Sequence, residues 1–564
     1  MSAITKPVIL DETGRRIAAA LENLARGGDP VAIDNTFAAM LTGENTTQIF
    51  RQWWDLSNDG TSTRYERLER WFNILAKVWS GKKYTLRYYN AAASSSSVMT
   101  PMDDLADKSA AQLCTKDTVP VADWADEDPM TWYTRFNGLS LADGTMNILA
   151  VEGVDAEFDK TGNTAPVYAV SLALWKREWS NGDYEYKSWA TVNPGGYTPY
   201  SGDIDTENNK RVMTWRPAFP GGYDNQGRIG SGVGQKPFNR RSAVQANASA
   251  KTIDAYEGLW NDADAMWALD MWQLRHFNLE NSDICNGCQS YNFTYTAAVS
   301  EIGVNRVIIT TAEAANLLEG SNIMIGTNAS TDRNQESSYS IADNATILSI
   351  EEVTIDETTY AAINVDTDST FDTTAGTTQI MTAPWNSGVT EDIPDHKDGA
   401  LYHLTNGKSP MRVQGVEMMS GAYDIGLDPL YNVTNFADGH GDYEVFECRN
   451  SENLAGSITS NYQSTGIVVT GVAQGWNWIK SYVKTKLAVM FPNFFGGSST
   501  TYYKSGFLGA RAAGVRCPWR SGNLADGSYY GLACEAGHRA PSDSAWYGRG
   551  RLGGSGKKRG EWTA

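Results

Sequence analysis

The sequence predicts an α+β chain in which strands predominate, built as several units rather than around one core. Three observations lead there. At 564 residues the chain exceeds what one simple hydrophobic core sustains, so two to four domains are expected. Helical spacing of apolar residues is confined to a few stretches, while most of the chain shows short runs broken by Gly, Pro and Asn. Residues 298–385 are rich in Thr, Val and Ile with acidic turns, a composition that fits strands.

Residues 1–110 read as a helical region. A first helix is expected after Leu10, capped by Asp11, with Ile17, Leu21 and Leu24 on one face and Gly27-Gly28 as its stop. A second follows Thr63, with Leu68, Trp71, Phe72, Leu75 and Trp79 at helical spacing. At Tyr84, Leu86 and Tyr88 the period becomes two and predicts a strand, and the run Ala91–Ser97 reads as a linker. Trp53, Trp54 and Trp71 either form an oligomer contact, a trimer being expected, or fill the monomer's own core.

Residues 111–297 read as β-rich with long loops. Strands are expected near Thr145–Val151 and Val167–Trp175, and a long Pro/Gly loop covers Asn193–Tyr200. A strongly amphipathic helix is expected over Ala255–Leu279, carrying Trp260, Met266, Trp267, Met271, Trp272 and Leu274. Residues 298–385 then form an inserted, sandwich-like β unit, with strands inside Val304–Thr311 and Thr358–Val365. After Trp385 an aromatic, Gly-rich loop style returns and defines the last unit, 386–564.

Composition narrows the function. A net charge of −19 disfavours a general nucleic-acid binder, which needs a basic footprint. No apolar window is long enough to cross a bilayer. Met1–Arg16 lacks an apolar h-region, so no signal peptide is expected, and export would need another route such as host lysis. Cys114, Cys285, Cys288, Cys448, Cys517 and Cys534 are too scattered for a disulfide scaffold. Cys285-Asn-Gly-Cys288 with nearby His276 lacks a fourth zinc ligand, so buried structural thiols are expected. Gly230–Lys236 mimics a phosphate loop, but its Lys precedes Pro237, and it reads as a flexible loop. There is no GxSxG elbow and no HExxH. His440 reads as a turn residue, and Asp103, Asp104, Asp392 and Asp395 as solvated carboxylates. No catalytic residue, metal or cofactor is expected.

The C-terminal stretch is the most informative. It contains Gly514-Val-Arg-Cys-Pro-Trp-Arg-Ser-Gly522, then Gly531-Leu-Ala-Cys534, Ala540-Pro-Ser-Asp543 and Trp546-Tyr-Gly-Arg-Gly-Arg-Leu552. The set resembles the variable region of the C-type-lectin-fold proteins that retroelements diversify in phages and bacteria. Upstream, Arg412-Val-Gln-Gly-Val-Glu-Met-Met-Ser-Gly-Ala-Tyr-Asp424 resembles a segment of the same fold, one that formylglycine-generating enzymes share. Trp476-Asn-Trp478 fits that fold's following helix region. The likeness covers roughly the last 150 residues, and Lys6–Gly14 is similar in style to phage head or tail fibre proteins.

The resemblance implies a C-type-lectin-like fold for residues 386–564, with a variable region about 517–552. Diversification there acts on Asn codons of the AAY type. The positions where a template would carry Asn are here Tyr529, Tyr530, Ala536, His538, Arg539, Asp543, Ala545 and Tyr547, the expected ligand-binding residues. Glu535, Trp546, Gly531, Leu532, Pro541, Ser542, Arg551 and Leu552 are the expected scaffold. Independently, Tyr, Ser, Gly and Asn between Gly522 and Arg551 have the composition of a paratope. True lectins pair a WND with an EPN or QPD loop, but Trp260-Asn-Asp262 stands far upstream, so no obligatory calcium is expected. Cys517 and Cys534 lack the spacing of the formylglycine-generating pair.

The implied function is a non-enzymatic phage receptor-binding protein, a tail fibre or tip adhesin acting at the bacterial surface. Its partners would be a host-cell surface protein or glycan and, through the N-terminal region, other virion proteins, in a homotrimer. The alternatives are a structural virion component, such as a head decoration or baseplate protein, and an enzyme of the formylglycine-generating type.

Overall fold

Thr63 begins the best-defined N-terminal element because its hydroxyl accepts from the Glu66 amide while the Glu66 carboxylate accepts from the Thr63 amide. The helix Arg64–Val78 follows, and Leu68, Trp71, Phe72 and Leu75 on its apolar face are fully buried. The computed structural model describes residue 15 and residues 30–90, 97–327, 332–484 and 490–554. The helix expected after Leu10 lies outside the described residues, as does the expected linker up to residue 96.

A helix at Thr46–Leu56 packs beside Arg64–Val78, and Trp53, Trp54 and Trp71 make ring contacts within one cluster. All three are 2% exposed or less. This corrects one basis for the oligomer: these three rings fill the chain's own core and are not the contact of a trimer.

The architecture is mixed α and β with strands predominating, mostly in antiparallel sheets. One four-stranded sheet orders Thr100–Asp103, Tyr84–Tyr89, Tyr184–Ala190 and Trp175–Asn181. A second orders Met146–Val151, Tyr133–Ser140, Val167–Leu172 and Met213–Pro217. The first large core joins the N-terminal helices and both sheets to Phe491 and Phe507 of the C-terminal part. The loop 230–236 is packed rather than flexible. Ser231 is buried with its hydroxyl donated to the Val167 carbonyl, and the Thr161 carbonyl leaves no room for a Cβ at Gly232.

The expected amphipathic helix is shorter, Asp262–His276, and every one of its residues is buried. Its polar stripe faces protein. Asp262 pairs with Arg520, Asp264 with Arg216 at 2.6 Å, Asp270 with Lys176 and Lys187, and Arg275 with Asp398 at 2.9 Å. Charges withdrawn from water are tolerated only when paired, and these pairs meet that condition.

From Thr294 to Ala383 the strands pair only among themselves. A six-stranded antiparallel sheet orders Thr294–Thr296, Gln379–Ala383, Asn322–Gly326, Ala342–Ile355, Thr358–Val365 and Arg306–Thr310, and Glu301–Val304 pairs with Phe371–Thr373. Its core reaches outward to Trp385, Leu401, Leu524 and Trp546, which seat the segment on the C-terminal part.

The C-terminal part carries a seven-stranded mixed sheet. In order it runs Met490–Phe495, Gly475–Lys484, Gly506–Gly509, Glu535–Ala536, Trp519–Arg520, Tyr423–Ile425 and Gly548–Gly550. Two of its pairings are parallel, Gly506–Gly509 with Glu535–Ala536 and Tyr423–Ile425 with Gly548–Gly550. Trp476-Asn-Trp478 lies on a strand, not in a helix, and its three residues pair in antiparallel register with Leu508, Phe507 and Gly506. Among the described residues no helix is long and apolar enough to cross a membrane. All six cysteines are free and buried. His440 is exposed in a hairpin turn, and Asp103, Asp104, Asp392 and Asp395 are exposed.

Candidate ligand-binding cleft

The short strands Trp519–Arg520 and Glu535–Ala536 lie side by side, and a buried charge network fastens them from beneath. Arg520 donates to Glu535 at 2.5 Å and to Asp262, while the Tyr431 hydroxyl donates to the other Glu535 oxygen. Burial pushes the Glu535 carboxyl up to about 7, opposed by the Arg520 charge. Between these strands the chain turns at Gly522, whose φ is +79°. A Cβ there would meet the Tyr530 ring at 2.5 Å, so glycine serves both the conformation and the packing.

The structure divides the eight expected ligand-binding residues into three groups. Tyr530 and Ala536 are 0% exposed and Ala545 is 2% exposed, which corrects their assignment as contact positions. Tyr530 turns inward under Gly522 after the turn Gly527–Tyr529. Ala536 sits between Leu508 and Trp519 in the middle of the sheet, and Ala545 belongs to the same core as Trp519. A side chain closed off by its own sheet has no surface to offer a ligand.

Tyr529 stands apart. Its ring stacks on Trp476, with centroids 4.5 Å apart and planes 6° apart, and on Trp478 at 4.4 Å and 29°. The three rings are half-buried and form a short aromatic ladder.

His538, Arg539, Asp543 and Tyr547 come together in one cleft of about 470 Å³. Tyr423, Arg511, Arg516 and Asp526, which sequence reasoning did not single out, line it as well. The Arg539 guanidinium lies 5.6 Å from the Trp519 ring centroid and 5.3 Å from that of Tyr547, and its Nε finds no hydrogen-bond partner. Arg516 spends its other nitrogens on the carbonyls of Ala512, Ala513 and Val515. Asp543 accepts from the Ala540 amide at 2.9 Å, so its carboxylate shapes the turn.

Three arginines and two aspartates line the cleft. Burial and the three guanidiniums Arg539, Arg511 and Arg516 hold His538 down at about 3, so its ring stays neutral at ordinary pH. Burial pushes Asp526 up to about 7, although the Tyr423 hydroxyl and the Asn523 amides favour its charged form. Asn523 supplies hydrogen bonds of 2.8 and 2.9 Å. The buried Tyr423 hydroxyl lies near Asp526 without making a well-formed bond to it.

A second cleft of about 530 Å³ adjoins the first and shares Ala525, Trp546 and Tyr547 with it. Its far wall belongs to the inserted segment, where Arg333 lies 4.7 Å from the Trp546 ring centroid and Asn334 accepts from the Trp546 amide. Among the described residues no group of His, Cys, Asp and Glu is placed to hold a metal ion. Burial pushes the Cys285 and Cys517 thiols up to about 12, away from the thiolate that a nucleophile needs.

Arg511 and Arg516 left a trace in the sequence. Four arginines, 511, 516, 520 and 539, crowd a short stretch of a chain with a net charge of −19. Tyr423 and Asp526 left none, because only the fold brings them to this rim. No protein family matches the chain, and no curated protein is significantly similar to it.

Proposed function

We propose that this chain is a phage receptor-binding protein that recognises a host-cell surface ligand through the cleft between Arg511 and Tyr547. One observation carries the reading. His538, Arg539, Asp543 and Tyr547, taken from the stretch that resembles a diversified variable region, converge on one open cleft above a closed framework. A surface can vary without loss of fold only where such a framework is independent of it. In the same proposal the described C-terminal sheets are a C-type-lectin-like fold, residues 1–110 meet other virion proteins, and the particle carries the chain as a trimer.

The test is binding of the full-length chain to cell-envelope fractions of its bacterial host, compared with Arg539→Ala and Tyr547→Ala. Saturable binding that either substitution weakens by about tenfold or more is expected of anchor residues. Saturable binding that neither substitution alters overturns the assignment of this cleft. Absence of envelope binding favours a structural role within the virion instead.

A further inference from the structure

We infer that the ligand of the cleft is an acidic sugar, a pyranose ring bearing a carboxylate or phosphate group, held by Arg511 and Arg539 against the ring of Tyr547, with the charge of Arg516 behind them. The inference rests on the adhesin reading and names its ligand class.

The charge comes first. Among the described residues no carboxylate lies within 4.0 Å of the guanidinium nitrogens of Arg511, Arg516 or Arg539. The framework arginines 216, 520 and 551 nearby are all matched. Desolvation works against the charge of Arg539, and Asp543 offsets it only at longer range. Three cations in one concavity repel one another, neighbouring Trp519 and Tyr547 provide attraction but no counter-charge, and the two aspartates of the lining, Asp526 and Asp543, offset the three charges only in part. A planar guanidinium held against rings is pre-set for an oxyanion, because its forked donors match carboxylate or phosphate oxygens. The chain as a whole is strongly acidic. A local positive cleft therefore runs against its overall composition, and an external acid would neutralise it.

The sugar follows from the remaining wall. A cleft of about 470 Å³ holds a small molecule with room to spare. Tyr547 and Trp546 bring ring surface to it, and aromatic faces suit the C–H face of a pyranose while the polar rim meets hydroxyls. The aromatic ladder extends this wall. Leu508 lines the cleft and is the cross-strand partner of Trp476. The backbone carbonyl of Asp526, also in the lining, accepts from the Tyr529 amide. A saccharide chain leaving the cleft on that side would meet the edges of Trp476, Tyr529 and Trp478.

The experiment uses the full-length chain in ligand-observed NMR with four probes: glucuronic acid, glucose 1-phosphate, glucose and inorganic phosphate. A fifth, a short poly-glutamate peptide, tests a protein ligand. The expected result is binding of glucuronic acid, glucose 1-phosphate or both at least about tenfold tighter than glucose and inorganic phosphate. Which of the two acids wins separates a carboxylate from a phosphate source. Arg539→Gln should abolish the preference. Arg511→Glu, at an exposed position, should weaken it without touching the packing.

Equal binding of glucose, equal binding of inorganic phosphate, or a preference for the peptide overturns the inference. So does retention of the preference in both variants. If host envelopes are bound through Arg539 and Tyr547 while no acidic sugar competes, the ligand class is wrong and the adhesin reading stands. If envelope binding is absent altogether, the adhesin reading itself has failed.

Discussion

Arginines of two kinds lie within a few residues of one another in the C-terminal part, and they differ in what surrounds them. Arg520 and Arg551 are 2% exposed or less, and each is met by a carboxylate. Arg511 is exposed, Arg516 and Arg539 are half-buried, and none of the three has a described carboxylate as an ion-pair partner. A charge taken out of water must be compensated by the protein, whereas one left at a cleft rim can be compensated by a ligand. The same residue type therefore builds a framework in one place and lines an open cleft in the other.

The largest effect is expected from breaking the framework. Arg520→Met would leave Asp262 and Glu535 buried without their cation, and the Tyr431 hydroxyl alone cannot replace it. Loss of one partner from such a network costs about 3–5 kcal/mol. Urea denaturation followed by tryptophan fluorescence reads this directly. A midpoint close to that of the wild type would mean the pairing contributes little and would erase the contrast.

Tyr530 sharpens the contrast from the apolar side. It belongs to the sequence stretch expected to vary, yet it is fully buried. Tyr530→Ala should cost about 3–5 kcal/mol, as for other large core rings. Tyr530→Phe should cost less than about 1 kcal/mol, since the hydroxyl makes no well-formed hydrogen bond. Thermal denaturation of the two variants separates ring from hydroxyl. If Tyr530→Ala keeps its stability but loses envelope binding, the ring is a contact residue after all.

How much of this was legible depends on whether a residue's fate is set locally. The helix Arg64–Val78 could be read because Thr63, Glu66 and one apolar face lie within a few turns of one another. The strand Thr358–Val365 has the bounds its composition suggests. For the helix Asp262–His276, periodicity shows that one stripe is polar but not what that stripe faces. Its carboxylates meet Lys176, Arg216 and Arg520, which the fold brings from distant parts of the chain. In the candidate site, His538, Arg539, Asp543 and Tyr547 reached one cleft, whereas Tyr530, Ala536 and Ala545 did not. A codon-level argument marks which positions a template would vary, but strand pairing decides which of them see solvent.

A smaller effect is expected where the cleft cations are removed. Arg511→Glu and Arg539→Ala should each change stability by less than about 1 kcal/mol, as substitutions outside the buried framework usually do. Arg539 loses its contacts to Trp519 and Tyr547, so its effect should be the larger of the two. Calorimetric melting of both proteins checks this. A loss comparable to that of Arg520→Met would place Arg539 in the framework and leave the cleft without its central cation.

The smallest effect expected on binding is a pH dependence that belongs to the cleft. Burial raises the Asp526 carboxyl from 3.8 to about 7. The unfolded chain therefore releases this proton first, and between these values the folded state holds a proton that the unfolded state has lost. Stability from this group is then fully present below about pH 4 and falls as pH rises to about 7. The buried carboxyls of Glu257, Glu280 and Glu535, raised to about 8, 7 and 7, push the wild type in the same direction. Only a difference against a variant isolates Asp526. The groups facing it are the Tyr423 hydroxyl, Asn523 and, across the cleft, Arg511, Arg516, His538, Arg539 and Asp543. Of these His538 is held near 3 and does not change charge over the interval. Asp526→Asn should gain stability on the wild type between pH 4 and pH 8, with a ceiling of about 4 kcal/mol set by the size of the shift. Binding should follow the same titration, because a charged Asp526 repels an acidic ligand that the neutral form accepts. Affinity for the preferred acid should fall by a few-fold, about 0.5–1 kcal/mol, as pH rises through 7 in the wild type and stay level in Asp526→Asn. Parallel curves for the two proteins would show that Asp526 does not sense the ligand's charge, and that the cleft's electrostatics rest on its arginines alone.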